Sequence, residues 1–246
     1  MPTRRACCLS WSLLACSPLA HAESDSLQVV TGNLPPFAVE GADAEPGMLV
    51  ELTEALLAQA GWPVKVQFYP WARAMQTALH QPRTLILPLT RTPEREAQYQ
   101  WLVRLYVQRF VFITRKGMPK VAQLAQAQGL RVVVLRGSPN VAQLQRHGFA
   151  DERITQATTV VDMLRMLELG MVDAIYGGDL VNLSAAVQSG RDPTRFELGL
   201  LLESGEVWLA ASSGVTEAEA QRLQAAHQAL VRNGVQDKIF GRYRAL

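Results

Sequence analysis

Short apolar runs alternate with amphipathic segments along residues 27–89, and this alternation limits the chain to an α/β fold. Three of the runs have the β-branched or alternating composition of strands, whereas residues 48–60 place their leucines on one helical face. This β-α-β-α-β order, with short connections between the elements, predicts a parallel sheet with helices packed on its faces. A second series of the same elements follows in residues 121–190, so the sequence predicts two α/β lobes.

The longest β-rich run, residues 102–115, contains no turn residue, and a strand of this length could leave one lobe and enter the other. We therefore place lobe 1 at residues 23–115 and 207–246. Lobe 2, residues 116–206, is then inserted into lobe 1.

The end of the chain returns to strand and helix patterns. Residues 196–202 and 207–211 are strand-like, and the intervening Glu-Ser-Gly-Glu predicts a break between two strands. Thr216 and Glu219 have the spacing of a capping box, which predicts the start of a long helix. A final helix is predicted over residues 235–243.

The first residues have the form of a secretory signal peptide. Arg4 and Arg5 precede an apolar run, and an Ala-His-Ala site ends at Ala22. A rival cleavage box of lipoprotein type would leave Cys16 lipidated. We favour Ala22 because it ends an apolar region of normal length, and we expect a periplasmic protein whose signal peptide spans residues 1–22.

The predicted cleavage changes the charge and the cysteine content. The whole chain has 24 basic and 22 acidic residues, and the leader's only charges are Arg4 and Arg5, so 24 − 2 = 22 basic residues remain. A net charge near zero gives no indication of nucleic-acid binding, which needs an excess of basic residues. All three cysteines lie in the leader, and the histidines show no metal spacing, so we expect no metal and no cofactor.

Residues 84–95 (TLILPLTRTPER) read as a buried strand that runs into a helix start. Thr92 is predicted to cap the helix through its hydroxyl, and Pro93 suits the first helical position. Arg95 then lies beside free backbone N–H groups, where a guanidinium can hold a carboxylate by two hydrogen bonds. This strand-to-helix corner, residues 84–95, predicts an anion-binding site. The alternative is that Arg95 is a surface arginine at an ordinary helix start.

The second lobe contains a corner of the same form. In VVVLRGSPN, Ser138 is a candidate N-cap and Pro139 the first helical residue. Two such corners in two lobes predict the facing walls of a cleft.

Several segments, in their order and spacing, resemble the bacterial extracellular solute-binding proteins of family 3, the periplasmic receptors of polar amino acid ABC transporters. The resemblance covers essentially the whole mature chain and implies the two-lobe, type II periplasmic-binding-protein fold. It places two hinge strands near residues 113–116 and 206–209, with the ligand in the interlobe cleft. The segments are PPF, GMLVELTEALLAQAGW, LTRTPEREAQYQW, GLRVVVLRGSPNVAQL, ELGMVDAIYGGD and NGVQDKIFGRY.

The resemblance also implies roles for single residues. Arg95 would bind the ligand's α-carboxylate, Thr90 would add a hydroxyl contact, and the Ser138 region would offer N–H groups and a hydroxyl. An acidic residue after the DAIYGG strand would take the α-ammonium. Direct alignment puts Gly178 at that position, with Asp179 one place later.

Four further side chains are candidates with open alternatives. Phe37 is either a cleft wall or core, and Trp71 either packs in the core or stacks on the ligand. Arg73 is either a solvated helix charge or a cleft residue. Tyr176 ends a strand, where open sheets place ligands, but it can equally be buried.

The function expected from these features is a monomeric, non-enzymatic receptor that passes a small carboxylate-bearing solute to a membrane ABC permease. Family relatives also include periplasmic dehydratases of the cyclohexadienyl type. Such chemistry needs a general acid or base, for which Glu94, Asp179 and Glu206 are the candidates. A receptor that signals instead of feeding a transporter is the third alternative.

Overall fold

Two strands of 16 residues each, β4 (Gln100–Arg115) and β8 (Phe196–Ala211), pair antiparallel and connect the two halves of one eight-stranded sheet. They appear in a computed structural model that describes residues 26–243, so the predicted signal peptide lies outside the described residues. The other strands are β1 (Gln28–Thr31), β2 (Val66–Phe68), β3 (Thr84–Thr90), β5 (Val132–Leu135), β6 (Ile154–Ala157) and β7 (Ala174–Gly178).

Eight α-helices cover the sheet in the part of the chain that the structure describes. Within that part, no helix has both the length and the apolar character needed to cross a membrane. The helices are α1 (Met48–Gln59), α2 (Trp71–His80), α3 (Leu124–Gln128), α4 (Asn140–Arg146), α5 (Val160–Glu168), α6 (Asp179–Gln188), α7 (Glu217–Arg232) and α8 (Val235–Tyr243).

Lobe 1 is built on β1, β2 and β3. The strand β1 pairs parallel with both β2 and β3, and β3 pairs antiparallel with the end of β8. Helix α1 packs against α7 and α8 and buries the leucine face that its periodicity predicts: Leu49, Leu52 and Leu56 are fully buried. Burial of each such side chain contributes about 1.5–3 kcal/mol to folding.

Lobe 2 is built on β5, β6 and β7. The strand β5 pairs parallel with both β6 and β7, and β7 pairs antiparallel with the second half of β4. Helices α5 and α6 pack against each other and against β4 and β7. The two-lobe α/β architecture predicted from the sequence is therefore confirmed, whereas the residue boundaries of the lobes stay a prediction.

The predicted break between two strands at Glu203–Glu206 is wrong. This segment continues β8, with Glu203 opposite Phe110 and Glu206 opposite Val107. A turn would have left the facing backbone of β4 without its hydrogen-bond partners, and the long antiparallel pairing supplies them.

The same register shows where the chain crosses between the lobes. The pairing of β8 with β3 of lobe 1 ends where Val207 lies opposite Thr90. The pairing of β4 with β7 of lobe 2 begins where Phe110 lies opposite Gly178. The crossing therefore lies at residues 107–109 of β4 and 204–206 of β8, which face each other. The hinge expected near residues 113–116 stays a prediction; Ile113 pairs there with Leu198 of β8 and with Ile175 of β7.

Two local predictions also differ from the structure. Pro93–Arg95 form a single 3-10 turn, and the Thr92 side chain makes no capping hydrogen bond. Helix α4 begins at Asn140, although the Ser138 hydroxyl does accept a hydrogen bond of 3.3 Å from the Asn140 N–H. By contrast, the capping box of Thr216 and Glu219 is confirmed.

Candidate functional site

A cavity of about 60 Å³ lies between the lobes, where β3 and α2 of lobe 1 meet the ends of β5 and β7. A water molecule needs about 10–15 Å³ of such space, so the cavity has room for a small ligand. Its lining is mostly apolar and aromatic. The polar side chains in it are Thr90, Arg95, Gln108, Ser138, Asn140, Tyr176 and Asn182.

Arg95 is the charged side chain of this lining, and it is 8% exposed. Its Nη1 donates to the Thr90 carbonyl over 3.0 Å, and its Nη2 donates to the Gly137 carbonyl over 2.7 Å. Burial lowers the pKa of the Arg95 guanidinium from its ordinary value, but an arginine stays protonated in proteins. A full positive charge therefore lies in the wall of the cavity.

The carboxylates beside Arg95 are paired elsewhere. Glu94 accepts a hydrogen bond from Arg146 over 2.8 Å, and Glu96 accepts from Arg91. Within the described residues, Arg95 has carbonyl partners and no ion pair. A guanidinium carries five N–H groups, so donors remain for a ligand carboxylate. A buried cation without a counter-ion is a strong attractor for an anion.

Local structure explains how Arg95 reaches this place. The strand β3 ends at Thr90, and the 3-10 turn of Pro93–Arg95 reverses the chain so that the guanidinium folds back onto the Thr90 carbonyl. Its orientation is thus set by a turn and by the Gly137 carbonyl, which follows β5 in lobe 2, and not by an α-helix N-terminus as the sequence predicted.

Lobe 2 contributes neutral polar groups. The Asn140 side chain donates to the Tyr176 carbonyl over 3.2 Å, and the Asn182 side chain donates to the Gly178 carbonyl over 2.8 Å. These bonds fix the backbone at the end of β7. Ser138, which follows β5, also lines the cavity.

Two buried polar atoms of the lining residues lack a hydrogen-bond partner among the described residues. They are the Tyr176 hydroxyl and the Asn182 Oδ1. Tyr176 is fully buried and packs against Phe112 with ring centroids 5.0 Å apart. Burial raises the pKa of the Tyr176 phenol, so the group stays protonated and can donate. Buried polar groups without a partner are uncommon, and a bound ligand or water can satisfy them.

The two predicted aromatic candidates line the cavity from lobe 1. Phe37 is buried and packs against Tyr106 with ring centroids 5.1 Å apart, so it is core and cavity wall at once. Trp71 is buried and lies against lobe 2, because a Cβ added to Gly137 would be 3.4 Å from its Cδ1. The alternatives left open for both residues are therefore compatible.

At the position expected to carry an acidic residue, the Gln108 amide occupies the space where a side chain would begin. A Cβ built on Gly178 would lie 1.6 Å from the Nε2 atom of Gln108. Gln108 is buried on β4 at the crossing between the lobes and lines the cavity. Its amide thus fills the space beside Gly178 that a larger residue there would need.

Asp179 and Arg73 are not among the lining residues. Asp179 is the first residue of α6, accepts a hydrogen bond from the Leu180 N–H over 2.7 Å, and lies 3.7 Å from the Arg109 guanidinium. Arg73 is exposed and lies over the Tyr69 ring, 5.0 Å from its centroid. The structure therefore brings together Arg95, Thr90, Ser138, Phe37, Trp71 and Tyr176, and leaves these two outside.

Sequence reasoning missed Gln108, Asn140 and Asn182. Asn182 follows Gly178 by four residues, one helical turn, so the helix periodicity could have pointed to it. Gln108 is a polar residue within a β-rich run, but only the pairing of β4 with β8 shows which way it faces.

The comparisons with known proteins agree with this architecture. The model of the bacterial extracellular solute-binding proteins, family 3, matches residues 27–245. A histidine kinase sensor domain with similarity to periplasmic binding proteins superposes with a TM-score of 0.79 at 19% identity, over 88% of this chain and 95% of that one. An ABC uptake transporter substrate-binding protein from Streptococcus pneumoniae with bound histidine gives 0.78 at 16%, over 90% and 93%. At identities this low, the structural similarity shows the shared two-lobe fold alone.

A curated relative is the membrane-bound lytic murein transglycosylase F of Ectopseudomonas mendocina (strain ymp). It is 26% identical over 154 residues, which are 60% of this chain and 32% of that protein. The chain thus spans about a third of the relative it matches. Because the family model matches all but a few of the described residues and the fold has the two lobes, the chain belongs to the bacterial extracellular solute-binding proteins, family 3.

Proposed function

We propose that the protein is a periplasmic solute-binding protein that captures a small carboxylate-bearing solute for an ABC importer. The observation that carries this proposal is the buried Arg95 guanidinium, which lines an interlobe cavity and has no carboxylate partner in the described residues. A ligand carboxylate neutralises that charge and accepts its free N–H groups in bidentate geometry.

Capture then proceeds by closure of the lobes. An open form presents Arg95 on lobe 1, where the ligand binds first. Bending at residues 107–109 and 204–206 then moves lobe 2 against lobe 1. The Gly137 carbonyl, Ser138 and Tyr176 of lobe 2 complete the cavity. A ligand stabilises the closed form only through contacts that the open form lacks. A membrane permease would recognise the closed form.

A thermal-shift comparison tests the carboxylate requirement. Small carboxylates are tested beside their primary amides, which match them in shape and lack the charge. A bound ligand raises the melting temperature by mass action, and we expect the rise with carboxylates and not with the amides. Equal shifts with both members of every pair would contradict the proposal.

Signalling is a second candidate, because one of the similar structures is a histidine kinase sensor domain. The capture mechanism is the same in both cases. Uptake of the radiolabelled ligand by cells with and without the protein separates the two, since an importer's receptor is needed for uptake and a sensor is not.

An enzyme on this scaffold finds less support. The three acid–base candidates do not line the cavity: Glu94 is paired with Arg146, Glu206 with Arg104, and Asp179 faces Arg109. Turnover of prephenate or arogenate by the purified protein would support the enzyme instead.

A further inference from the structure

We propose that the ligand is a monocarboxylate with an apolar body and a neutral polar substituent such as a hydroxyl, and not an amino acid. This inference rests on the proposed function and narrows the ligand of the same cavity. Three independent observations carry it: the charge of the lining, the contact of Gln108 with Gly178, and the unpartnered polar atoms of lobe 2.

The charge balance comes first. Among the described residues, the lining contains one cation, Arg95, and no aspartate or glutamate. A bound monocarboxylate makes the site electrically neutral. An amino acid would add an ammonium with no opposing charge in the wall, and an unpaired buried charge is strongly unfavourable.

The second observation concerns the space where an acid would be needed. Gln108 occupies the space beside Gly178, so closely that even a Cβ at Gly178 would overlap its amide. The neighbouring carboxylate of Asp179 is held by the Leu180 N–H and faces Arg109. Beside Gly178, the cavity is therefore lined by the neutral Gln108 amide.

The third observation defines the polar substituent. The Tyr176 hydroxyl can donate, and the Asn182 Oδ1 can accept, and neither has a partner among the described residues. Both residues line the cavity, and a ligand hydroxyl can accept from the Tyr176 hydroxyl or donate to the Asn182 Oδ1. The remaining wall, which includes Phe37, Trp71 and Phe110, suits an apolar body.

Calorimetric titration of matched acids tests the inference. Leucic acid and phenyllactic acid, the α-hydroxy counterparts of leucine and phenylalanine, are compared with L-leucine and L-phenylalanine. We expect whichever hydroxy acid binds more tightly to bind at least roughly tenfold more tightly than the amino acid of the same side chain. The affinity of that hydroxy acid should fall in Tyr176→Phe or in Asn182→Ala, according to which group the ligand hydroxyl contacts, and unchanged affinity in both folded variants would contradict the assignment of a hydroxyl.

A charge substitution gives an independent test. Gln108→Glu keeps the size of the side chain and places a carboxylate beside Gly178. We expect this variant to lose affinity for the hydroxy acid and to gain affinity for the amino acid. Gln100→Glu is the matched control, because Gln100 lies exposed on the same strand, and it should leave both affinities unchanged.

The outcomes separate this inference from the proposed function. Amino acids that bind as tightly as, or more tightly than, the hydroxy acids, with dependence on Arg95, would overturn the inference and leave the proposed function standing. If neither class binds in an Arg95-dependent way, both are contradicted. Preference for the hydroxy acid, reversed in Gln108→Glu and not in Gln100→Glu, supports the inference.

Discussion

The Arg95 guanidinium donates a hydrogen bond of 2.7 Å to the Gly137 carbonyl, and this bond joins the two lobes at the cavity wall. The same side chain bonds the Thr90 carbonyl of its own lobe over 3.0 Å. One buried cation thus contacts both walls and the space between them. Ligand binding and lobe closure are coupled in this account because both depend on the same group.

A second contact between the lobes lies at Arg146, which bonds Glu94 across the cleft and Glu203 on β8. The Arg146 and Glu94 side chains are 43% and 50% exposed, and an exposed ion pair contributes about 0–1 kcal/mol. We expect Arg146→Ala to weaken ligand affinity by at most about fivefold, with a larger effect at low salt. Calorimetry at two ionic strengths measures it.

The control for this prediction is Arg232→Ala, which removes an exposed arginine of α7 that does not line the cavity. It should leave affinity unchanged at both ionic strengths. A loss of a hundredfold or more in Arg146→Ala would show that Arg146 acts on the ligand itself and would contradict the assignment.

The capping box of α7 predicts a pH dependence of stability. The Glu219 carboxylate accepts from the Thr216 N–H and from Arg83, and these contacts, Arg83 foremost, lower its pKa from 4.5 to about 2. A depressed pKa stabilises the fold above the unfolded value and loses that effect as pH falls. We expect Glu219→Gln to lower the free energy of unfolding by roughly 1–3 kcal/mol at pH 7.

That deficit should shrink as the pH falls from about 5 to 2, because the unfolded chain takes up the Glu219 proton near the ordinary pKa of 4.5, whereas the folded protein takes it up only near 2. Denaturant titrations of both proteins across the range measure it. A difference between them that stays constant with pH would contradict the role given to the Glu219 charge.

Gly205 is packed tightly at the crossing between the lobes. A Cβ there would lie 2.8 Å from the Thr90 Cγ2 and 2.9 Å from the Phe110 Cε2. Because both neighbours are buried, we expect Gly205→Ala to lower the free energy of unfolding by roughly 1–3 kcal/mol. Gly241→Ala is the control: its Cβ meets no atom within 4 Å at an exposed position of α8, so it should be neutral or stabilising. Equal stability of the two variants would contradict the packing argument.

Features that depend on neighbouring residues in the chain could be predicted from the sequence. The capping box at Thr216 and the final helix match the structure, because caps and helical periodicity are local signals. Arg95 was found for the same reason, since it lies in a short strand-to-turn motif. The local structure predicted around Arg95 was partly wrong: the Thr92 cap is absent, and the turn does not continue into an α-helix.

Features that depend on pairing across the sheet could not be predicted. Glu203–Glu206 have the composition of a turn, yet they continue β8 because β4 supplies partners along its whole length. Gln108 reaches the cavity through that same pairing. The sequence therefore pointed to Arg95, which lines the cavity, whereas the contact of Gln108 with Gly178 required the register of two strands distant in the chain.

The most direct test of the account is a calorimetric titration of Arg95→Ala. The ligand is leucic acid, or whichever carboxylate raises the melting temperature most. Loss of a bidentate, charge-assisted pair predicts at least roughly a hundredfold weaker binding in a folded variant. Arg73→Ala, which removes an exposed arginine outside the cavity lining, should bind within about twofold of wild type. Undiminished affinity in folded Arg95→Ala would contradict the central claim.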